Sequence, residues 1–215
     1  VGTAIGMSLY GLKPVVEIQF MDFIFPAFDQ IVSDLAKFRY RTGGAYTCPM
    51  VIRAPYGGGI KGASYHSQSG ETHFVHTSGL KVVVPATPYE TKGLLISAIR
   101  DDDPVIFFEP KRLYRALKED VPEEAYTIPI GEARIMEEGS DVTLISYGPM
   151  IQTALEAIEI VKKEGTSVEL IDLRTLSPLD SETIIKSVKK TGRVVIAHEA
   201  PKTLGMSAEI AALIA

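Results

Sequence analysis

The sequence predicts an α/β protein built from two modules with mainly parallel sheets. Short apolar runs rich in β-branched residues alternate with helical patterns, which is typical of parallel strands covered by helices. A polar stretch at residues 111–141 interrupts this alternation, which then restarts. The chain has 215 residues, of which 46% are hydrophobic, so each module can bury a core.

The first module is predicted to contain two helices between its strands. The spacing of apolar residues predicts a helix at Phe28–Arg39. A second helix is predicted at Thr87–Arg100, with Thr87 as the N-cap, Pro88 in the first turn and Glu90 at the third helical position. The predicted strands are Val15–Phe20, Met50–Arg53, Leu80–Val84 and Val105–Phe108.

The second module repeats the same alternation after a linker. We place the first module at residues 1–120, the linker at 121–133 and the second module at 134–215, with one strand at Ile128–Ile135 crossing into it. The predicted strands that follow are Val142–Tyr147, Val168–Leu173 and Arg193–Ala197. The predicted helices are Gln152–Glu164 and Ser181–Lys190, which end at Gly165 and Gly192.

Both ends of the sequence have a helical pattern without a polar cap. The chain opens with VGTAIGMSLYGL, starting at Val1 rather than at methionine, and closes with SAEIAALIA. We therefore expect the sequence to be a piece of a longer protein.

The composition argues against several classes of protein. The net charge is −5, and no basic stripe is present that could follow a nucleic-acid backbone. No apolar run reaches the length of about 18 residues that a membrane span requires. The single Cys48 excludes an internal disulfide and favours a reducing compartment, so we expect a cytoplasmic protein.

The segment Arg53–His76 is the strongest candidate for a functional loop. It contains His66, His73 and His76, and a long loop of this kind is usually functional or disordered. It leaves the carboxyl end of a predicted parallel strand, which is where ligands bind in such sheets. His66 is therefore a candidate for acid–base chemistry, and a surface histidine without a function is the alternative.

The motifs of other enzyme classes are incomplete. The string GGGIKGAS lacks the Gly-Lys-Ser/Thr of a phosphate-binding loop, and no GxGxxG or GxSxG is present in the required context. His73 and His76 have no carboxylate or cysteine at zinc-ligand spacing.

Two other polar groups remain open from the residues alone. Asp101, Asp102 and Asp103 follow the end of a predicted helix, where a solvated turn or a bound hard cation would suit them. His198 and Glu199 follow the last predicted strand, and they could face a ligand or a partner, or serve a structural role.

Several long strings together resemble one family. They are QFMDFIFPAFDQIVSDLAKFRYRTGG, YHSQSGETHF, GLKVVVPATPYETKGLLISAIRDDDPVIFFEPKRLYR, VELIDLRTLSPLD and TGRVVIAHEAP. They resemble the β subunit of the thiamine diphosphate-dependent 2-oxoacid dehydrogenases, the decarboxylating component of the pyruvate and branched-chain complexes. The resemblance covers essentially the whole chain.

This resemblance implies a thiamine diphosphate-binding, transketolase-like pyrimidine domain followed by a transketolase C-terminal-like domain. It implies an α2β2 heterotetramer in which an α subunit holds the cofactor's diphosphate and magnesium. The implied reaction is oxidative decarboxylation of a 2-oxoacid, with a branched-chain substrate favoured over pyruvate, and acyl transfer to the lipoyl group of an acyltransferase component. Another thiamine enzyme of the transketolase superfamily and a non-catalytic assembly fragment are the alternatives.

The resemblance also implies roles for individual residues. Phe23 takes the place of an aromatic residue, often Tyr in the relatives, that packs against the aminopyrimidine. His66 falls on the active-site histidine that assists the substrate and the acyl transfer. A potassium ion would be held by carbonyl groups near Met50, Val51 and Ala98 together with Asp101 and Asp103, where family members often have Asn at the last position.

The family's activating glutamate is expected a few residues before Val1. Since the sequence does not include it, we do not expect the chain as given to activate the cofactor.

Overall fold

The computed structural model describes residues 1–215 and contains two α/β modules, each with its own sheet. The strands are β1 Val15–Glu17, β2 Val51–Tyr56, β3 Lys81–Val83, β4 Val105–Pro110, β5 Arg134–Glu137, β6 Val142–Ser146, β7 Val168–Asp172, β8 Thr175–Ser177 and β9 Val194–Ile196. The helices are α1 Gly2–Leu9, α2 Phe38–Arg41, α3 Thr72–Val75, α4 Pro88–Arg100, α5 Met150–Val161, α6 Ser181–Thr191 and α7 Met206–Ile214.

Both sheets are mainly parallel, as the sequence predicts. The first sheet has the strand order β1-β2-β4-β3-β8, and the second has the order β5-β7-β6-β9. All neighbouring pairs are parallel except β3 with β8 and β5 with β7. Apart from the segments at residues 28–39 and 128–135, the predicted strands and helices are confirmed, with their ends shifted by a few residues.

The first sheet is covered on both faces, which explains its nearly continuous apolar strands. Every residue of β4 is buried. Ile106 and Phe108 face the main core, whereas Val105 and Phe107 pack on the other face against Leu94 of α4. Because successive side chains of a strand point to opposite faces, the run VIFF fills both layers at once.

The strand β8 was not predicted, and it joins the two halves of the chain. It comes from the second half but pairs antiparallel with β3, with Val82 opposite Ser177. The main core is also shared, since Ile145 and Ile171 of the second sheet pack in the same cluster as Phe108. The two modules are therefore docked through a common core and a common sheet.

The predicted helix Phe28–Arg39 is confirmed as helical, but it is not a regular α-helix throughout. The chain instead makes a π-helical turn at Gln30–Asp34, a 3-10 turn at Leu35–Lys37 and then α2. Ile31, Leu35 and Ala36 of this irregular helix are all buried in the core.

The predicted strand Ile128–Ile135 was also misplaced, because β5 begins only at Arg134. Ile128 instead forms hydrogen bonds with α4. Its N–H donates to the Gly93 carbonyl at 3.3 Å, and its carbonyl accepts from the Ser97 hydroxyl at 2.6 Å. The predicted cap of α4 is confirmed, because the Glu90 N–H donates to the Thr87 side chain at 3.2 Å.

None of the helices has the length and apolar character needed to cross a membrane.

The contact between the linker and α4 predicts opposite effects for two helical glycines. A Cβ at Gly93 would lie 2.6 Å from Ile128 Cγ1, whereas a Cβ at Gly6 of α1 would meet nothing within 4 Å. We expect Gly6→Ala to raise the free energy of unfolding by about 1 kcal/mol, because Ala is the better helix former. We expect Gly93→Ala to lower the free energy of unfolding by about 1–3 kcal/mol, because the added methyl group would overpack the contact between α4 and the linker.

Denaturant titration of the two variants measures both effects. An equal gain in stability for Gly93→Ala and Gly6→Ala would show that the linker does not lie on α4.

Candidate functional site

The candidate site lies at the carboxyl edge of the first sheet. The strand β2 ends at Tyr56, and the chain then runs through a non-repetitive segment before α3. His66 lies in that segment, in a short 3-10 turn at Ser64–His66. Phe23 lies in another 3-10 turn, Met21–Phe23, shortly after β1. Both turns follow parallel strands at their carboxyl ends, where ligands bind in open sheets.

The structure brings the two predicted residues Phe23 and His66 into contact. Their ring centroids are 5.5 Å apart with an interplanar angle of 76°, and Phe20 meets the same imidazole at 4.9 Å and 77°. The Phe23 side chain remains 45% exposed. An exposed aromatic face beside a histidine suits a flat ring that carries groups able to exchange protons.

The hydrogen bonding of His66 orients its ring. Nδ1 lies 3.0 Å from the Gly62 carbonyl oxygen, which can only accept a hydrogen bond. In the neutral ring the proton therefore sits on Nδ1, and Nε2 is the nitrogen that is able to accept a proton.

A lysine that sequence reasoning did not single out lies at the same edge. Lys111 follows β4, and its ammonium group lies 5.3 Å from the centroid of the Phe20 ring and 4.7 Å from that of Tyr114. The same Phe20 ring contacts His66, so Lys111 and His66 are linked through one aromatic side chain. The only feature of the sequence that could have indicated a role for Lys111 is its position directly after a buried strand.

A buried polar cluster lies between this edge and the second module. The Tyr147 hydroxyl donates to Oε1 of Glu71 at 2.6 Å, and the Tyr147 ring stacks on His198 with centroids 6.0 Å apart. Nε2 of His198 lies 2.8 Å from the Ser207 hydroxyl of α7. Burial raises the pKa of Glu71 above its ordinary value.

Several atoms of this cluster are buried without a hydrogen-bond partner. They are the Tyr56 hydroxyl, Oε2 of Glu71 and Nδ1 of His198. Such groups are rare in folded proteins and mark places where function competes with packing. Nothing in the local sequence pattern signals that Glu71 is buried.

The predicted cation-binding residues lie at the opposite, amino edge of the first sheet. Oδ2 of Asp101 is 2.6 Å from the Lys81 ammonium, and Oδ1 of Asp103 is 2.7 Å from Arg39. Lys13 donates to the carbonyl oxygen of Asp101 at 3.1 Å. The two carboxylates are therefore already paired with cationic side chains.

The three carbonyl groups of the predicted cation site are in different situations. The Met50 carbonyl, just before β2, accepts from the Val105 N–H at 3.0 Å in the sheet, and Val51 is the first residue of β2. Ala98 lies in the last turn of α4, where carbonyl groups lack a partner within the helix. No group of three or more His, Cys, Asp or Glu side chains that could hold a metal ion is present in residues 1–215.

Comparison with known families matches the two modules separately. Residues 1–116 match the family described as the transketolase pyrimidine binding domain, and residues 131–215 match the transketolase C-terminal domain.

Individual relatives give a finer comparison. The chain is 57% identical, over 99% of its length, to the mitochondrial 2-oxoisovalerate dehydrogenase subunit beta of Dictyostelium discoideum. It is 51% identical, over 99% of its length, to the 2-oxoisovalerate dehydrogenase subunit beta of Bacillus subtilis (strain 168). It is 50% identical, over 100% of its length, to the pyruvate dehydrogenase E1 component subunit beta of Acholeplasma laidlawii. The chain spans 58%, 65% and 65% of the length of these relatives, respectively.

A solved structure has the same fold. The chain superposes with a TM-score of 0.82 and 25% identity on a protein described as a split gene transketolase, inactive beta4 tetramer, over 99% of this chain and 66% of that one.

The environment of His198 predicts a pH dependence of stability. Burial lowers the pKa of His198 below its ordinary value of 6.5. The folded state therefore prefers the neutral ring, and the unfolded state binds the proton more readily. The stability that His198 contributes is present above pH 6.5 and is lost as the pH falls below that value toward the lowered pKa.

We expect the unfolding free energy of the wild type to fall more than that of His198→Gln between about pH 7.5 and about pH 5.5. The exposed His76 provides the control, because His76→Gln should keep the wild-type dependence. Parallel pH profiles for all three proteins, measured by denaturant titration, would contradict this reading.

Proposed function

Because this chain belongs to the transketolase family, we propose that it acts as the β subunit of a thiamine diphosphate-dependent 2-oxoacid dehydrogenase. The proposed reaction releases carbon dioxide from a 2-oxoacid and transfers the acyl group to a lipoyl group, which is reduced. We favour a branched-chain 2-oxoacid, because two of the relatives described above are named for 2-oxoisovalerate. Pyruvate is the next choice, since similar proteins are named for it.

The observation that carries this proposal is the contact between Phe23 and His66 at the carboxyl edge of the first sheet. It lies within the residues that match the pyrimidine binding domain. The half-exposed ring of Phe23 fits the aromatic part of thiamine diphosphate, which would lie against it.

The residues of this chain would then have distinct tasks. When bound, thiamine diphosphate supplies the carbon nucleophile that attacks the 2-oxo group. Phe23 would orient the aminopyrimidine by stacking. Nε2 of His66 would accept or donate a proton at the reacting groups, since Nδ1 is occupied by the Gly62 carbonyl. Lys111 would favour the negative charge of the substrate carboxylate.

We propose further that the chain works with an α subunit in an α2β2 heterotetramer and with a lipoyl-bearing acyltransferase. The relatives are named as beta subunits, which supports a second kind of chain. The diphosphate and magnesium would be held mainly by that α subunit. The cytoplasm stays a prediction from the single buried Cys48, while the Dictyostelium relative is mitochondrial by name.

Potassium at the amino edge is a separate part of the proposal. Carbonyl oxygens suit a hard cation, and Met50, Val51 and Ala98 provide them. Since Lys81 and Arg39 already pair with Asp101 and Asp103, the carboxylates would contribute less than the carbonyl groups. An ion there would stabilise the turn before β4.

The reaction is tested with the full-length β chain, its α partner, thiamine diphosphate, magnesium and a lipoyl-bearing acyltransferase as the acyl acceptor. We expect release of carbon dioxide from branched-chain 2-oxoacids with a higher kcat/KM than from pyruvate. No release from any 2-oxoacid would refute the dehydrogenase and favour the assembly role. Transfer of two-carbon units between sugars, without an α chain, would favour the transketolase-like alternative.

The same assay tests His66. We expect His66→Ala to lower the rate of lipoyl acylation by about 100-fold or more, while the Kd for thiamine diphosphate changes little. The exposed His76, near the end of the same segment, offers the control variant His76→Ala, which should keep the wild-type rate. A loss of cofactor affinity equal to the loss of rate would make His66 a structural residue.

Thermal unfolding tests the potassium site. An ion that binds only the folded state stabilises it by about 2.7 kcal/mol at 100 times its Kd. We therefore expect a higher Tm in potassium chloride than in sodium chloride of the same ionic strength. Equal Tm values in the two salts would show that the folded chain has no site selective for potassium.

A further inference from the structure

The segment that carries His66 is strained and needs support from outside. We define the His66 loop as residues 57–70, between β2 and the start of the turn that leads into α3. Lys61 and Ala63 have φ angles of 58° and 56°, in the left-handed region that disfavours residues with a side chain. Such conformations persist only where the surrounding structure holds them.

The loop closes on itself and on the turn that carries Phe23. The Gly57 N–H donates to the Gln68 carbonyl at 3.0 Å. The Gln68 N–H in turn donates to Oδ1 of Asp22 at 3.3 Å. Asp22 precedes Phe23 in the chain, so the closure of the loop and the position of the Phe23 ring are linked.

Glu199 of the second module holds the beginning of the loop. It follows β9, and its Oε1 accepts from the Gly58 N–H at 2.7 Å. A Cβ at Gly57 would lie 3.1 Å from one carboxylate oxygen of Glu199, and a Cβ at Gly58 would lie 2.8 Å from the other. The absence of side chains at these two positions allows the carboxylate to approach the backbone, and a hydrogen bond to an ionised acceptor is among the stronger kinds.

Tyr147 of the second module holds the other end. It follows β6 and donates to Glu71, the residue directly after the loop. Glu71 is 0% exposed and Tyr147 is 3% exposed, so water does not compete for this bond. The stacked His198, bonded to Ser207 of α7, supports the Tyr147 ring from behind.

We propose that Glu199 and Tyr147 are positioning residues, which hold both ends of the His66 loop on the second module and so set the orientation of His66. This rests on the proposed function, in which His66 serves the acyl transfer. In one contact the acceptor is Glu199 of the second module and the donor is the loop backbone. In the other the donor is Tyr147 of the second module and the acceptor is Glu71, next to the loop. Neither residue reaches His66 itself.

The test compares Glu199→Ala with Glu199→Gln in the full-length β chain assembled with its α partner. Gln keeps an oxygen that can accept from Gly58, whereas Ala does not. In Glu199→Ala we expect amide hydrogen exchange in residues 58–68 to become about tenfold faster. We expect the exchange in Glu199→Gln to return close to the wild-type rate. Glu209→Ala is the matched control, because Glu209 is an exposed carboxylate on α7.

Kinetics separate positioning from a general loss of structure. In Glu199→Ala we expect kcat for lipoyl acylation to fall about tenfold, with the KM for the 2-oxoacid and the Kd for thiamine diphosphate little changed. Tyr147→Phe, which keeps the ring and removes the hydroxyl, should speed exchange at the end of the loop near Glu71. Hydrogen exchange in Tyr147→Phe therefore tests the positioning contacts even if Glu199→Ala does not fold.

Wild-type exchange rates in both Glu199→Ala and Tyr147→Phe would overturn the proposal. So would faster exchange over the whole chain that Glu199→Gln does not restore. The exchange experiment requires no substrate, so it still decides on the positioning contacts if the wild-type complex proves inactive on every 2-oxoacid and the proposed function fails.

Discussion

The hydrogen bond between Tyr147 and Glu71 is the interaction on which the rest of the structure depends. A buried carboxyl without a partner costs about 1–3 kcal/mol, and more if it is charged. Glu71 belongs to the first module, but its partner arrives from the second. The strand β8 and the shared core also join the modules, because the first sheet is complete only when the second module is docked. Docking of the modules and order around His66 are therefore coupled.

The direction of the strands decides what the two polar regions can do. Because β1, β2, β3 and β4 are parallel, Phe23 and His66 meet at the carboxyl edge, while Asp101 and its cationic partners lie at the amino edge. The strand β2 has six residues, from Val51 to Tyr56, so the two edges are separated by about 20 Å. At that distance a cation bound near Asp101 would be screened from charges at His66, and it would act through the stability of the sheet.

Sequence patterns predicted most of the fold but little of the site. Apolar runs identified the buried strands, and Thr87 identified the start of α4, because these signals are local. The strand β8 was missed because Thr175–Ser177 is not an apolar run and its pairing partner β3 lies far away in the chain. The segment at residues 28–39 is helical as predicted, but its apolar spacing does not reveal the π and 3-10 turns. The separate roles of Phe23 and His66 were expected only from resemblance, and their contact with each other was not predicted. The role of Glu71 could not be predicted, since its burial depends on a residue far away in the chain.

A double-mutant cycle measures directly whether Tyr147 and Glu71 join the two modules. The free energies of unfolding of the wild type, Tyr147→Phe, Glu71→Ala and the double variant are measured by denaturant titration. We expect the double variant to lose less than the sum of the single losses, by about 1 kcal/mol or more. Losses that add within about 0.3 kcal/mol would contradict it, because the two side chains would then act independently.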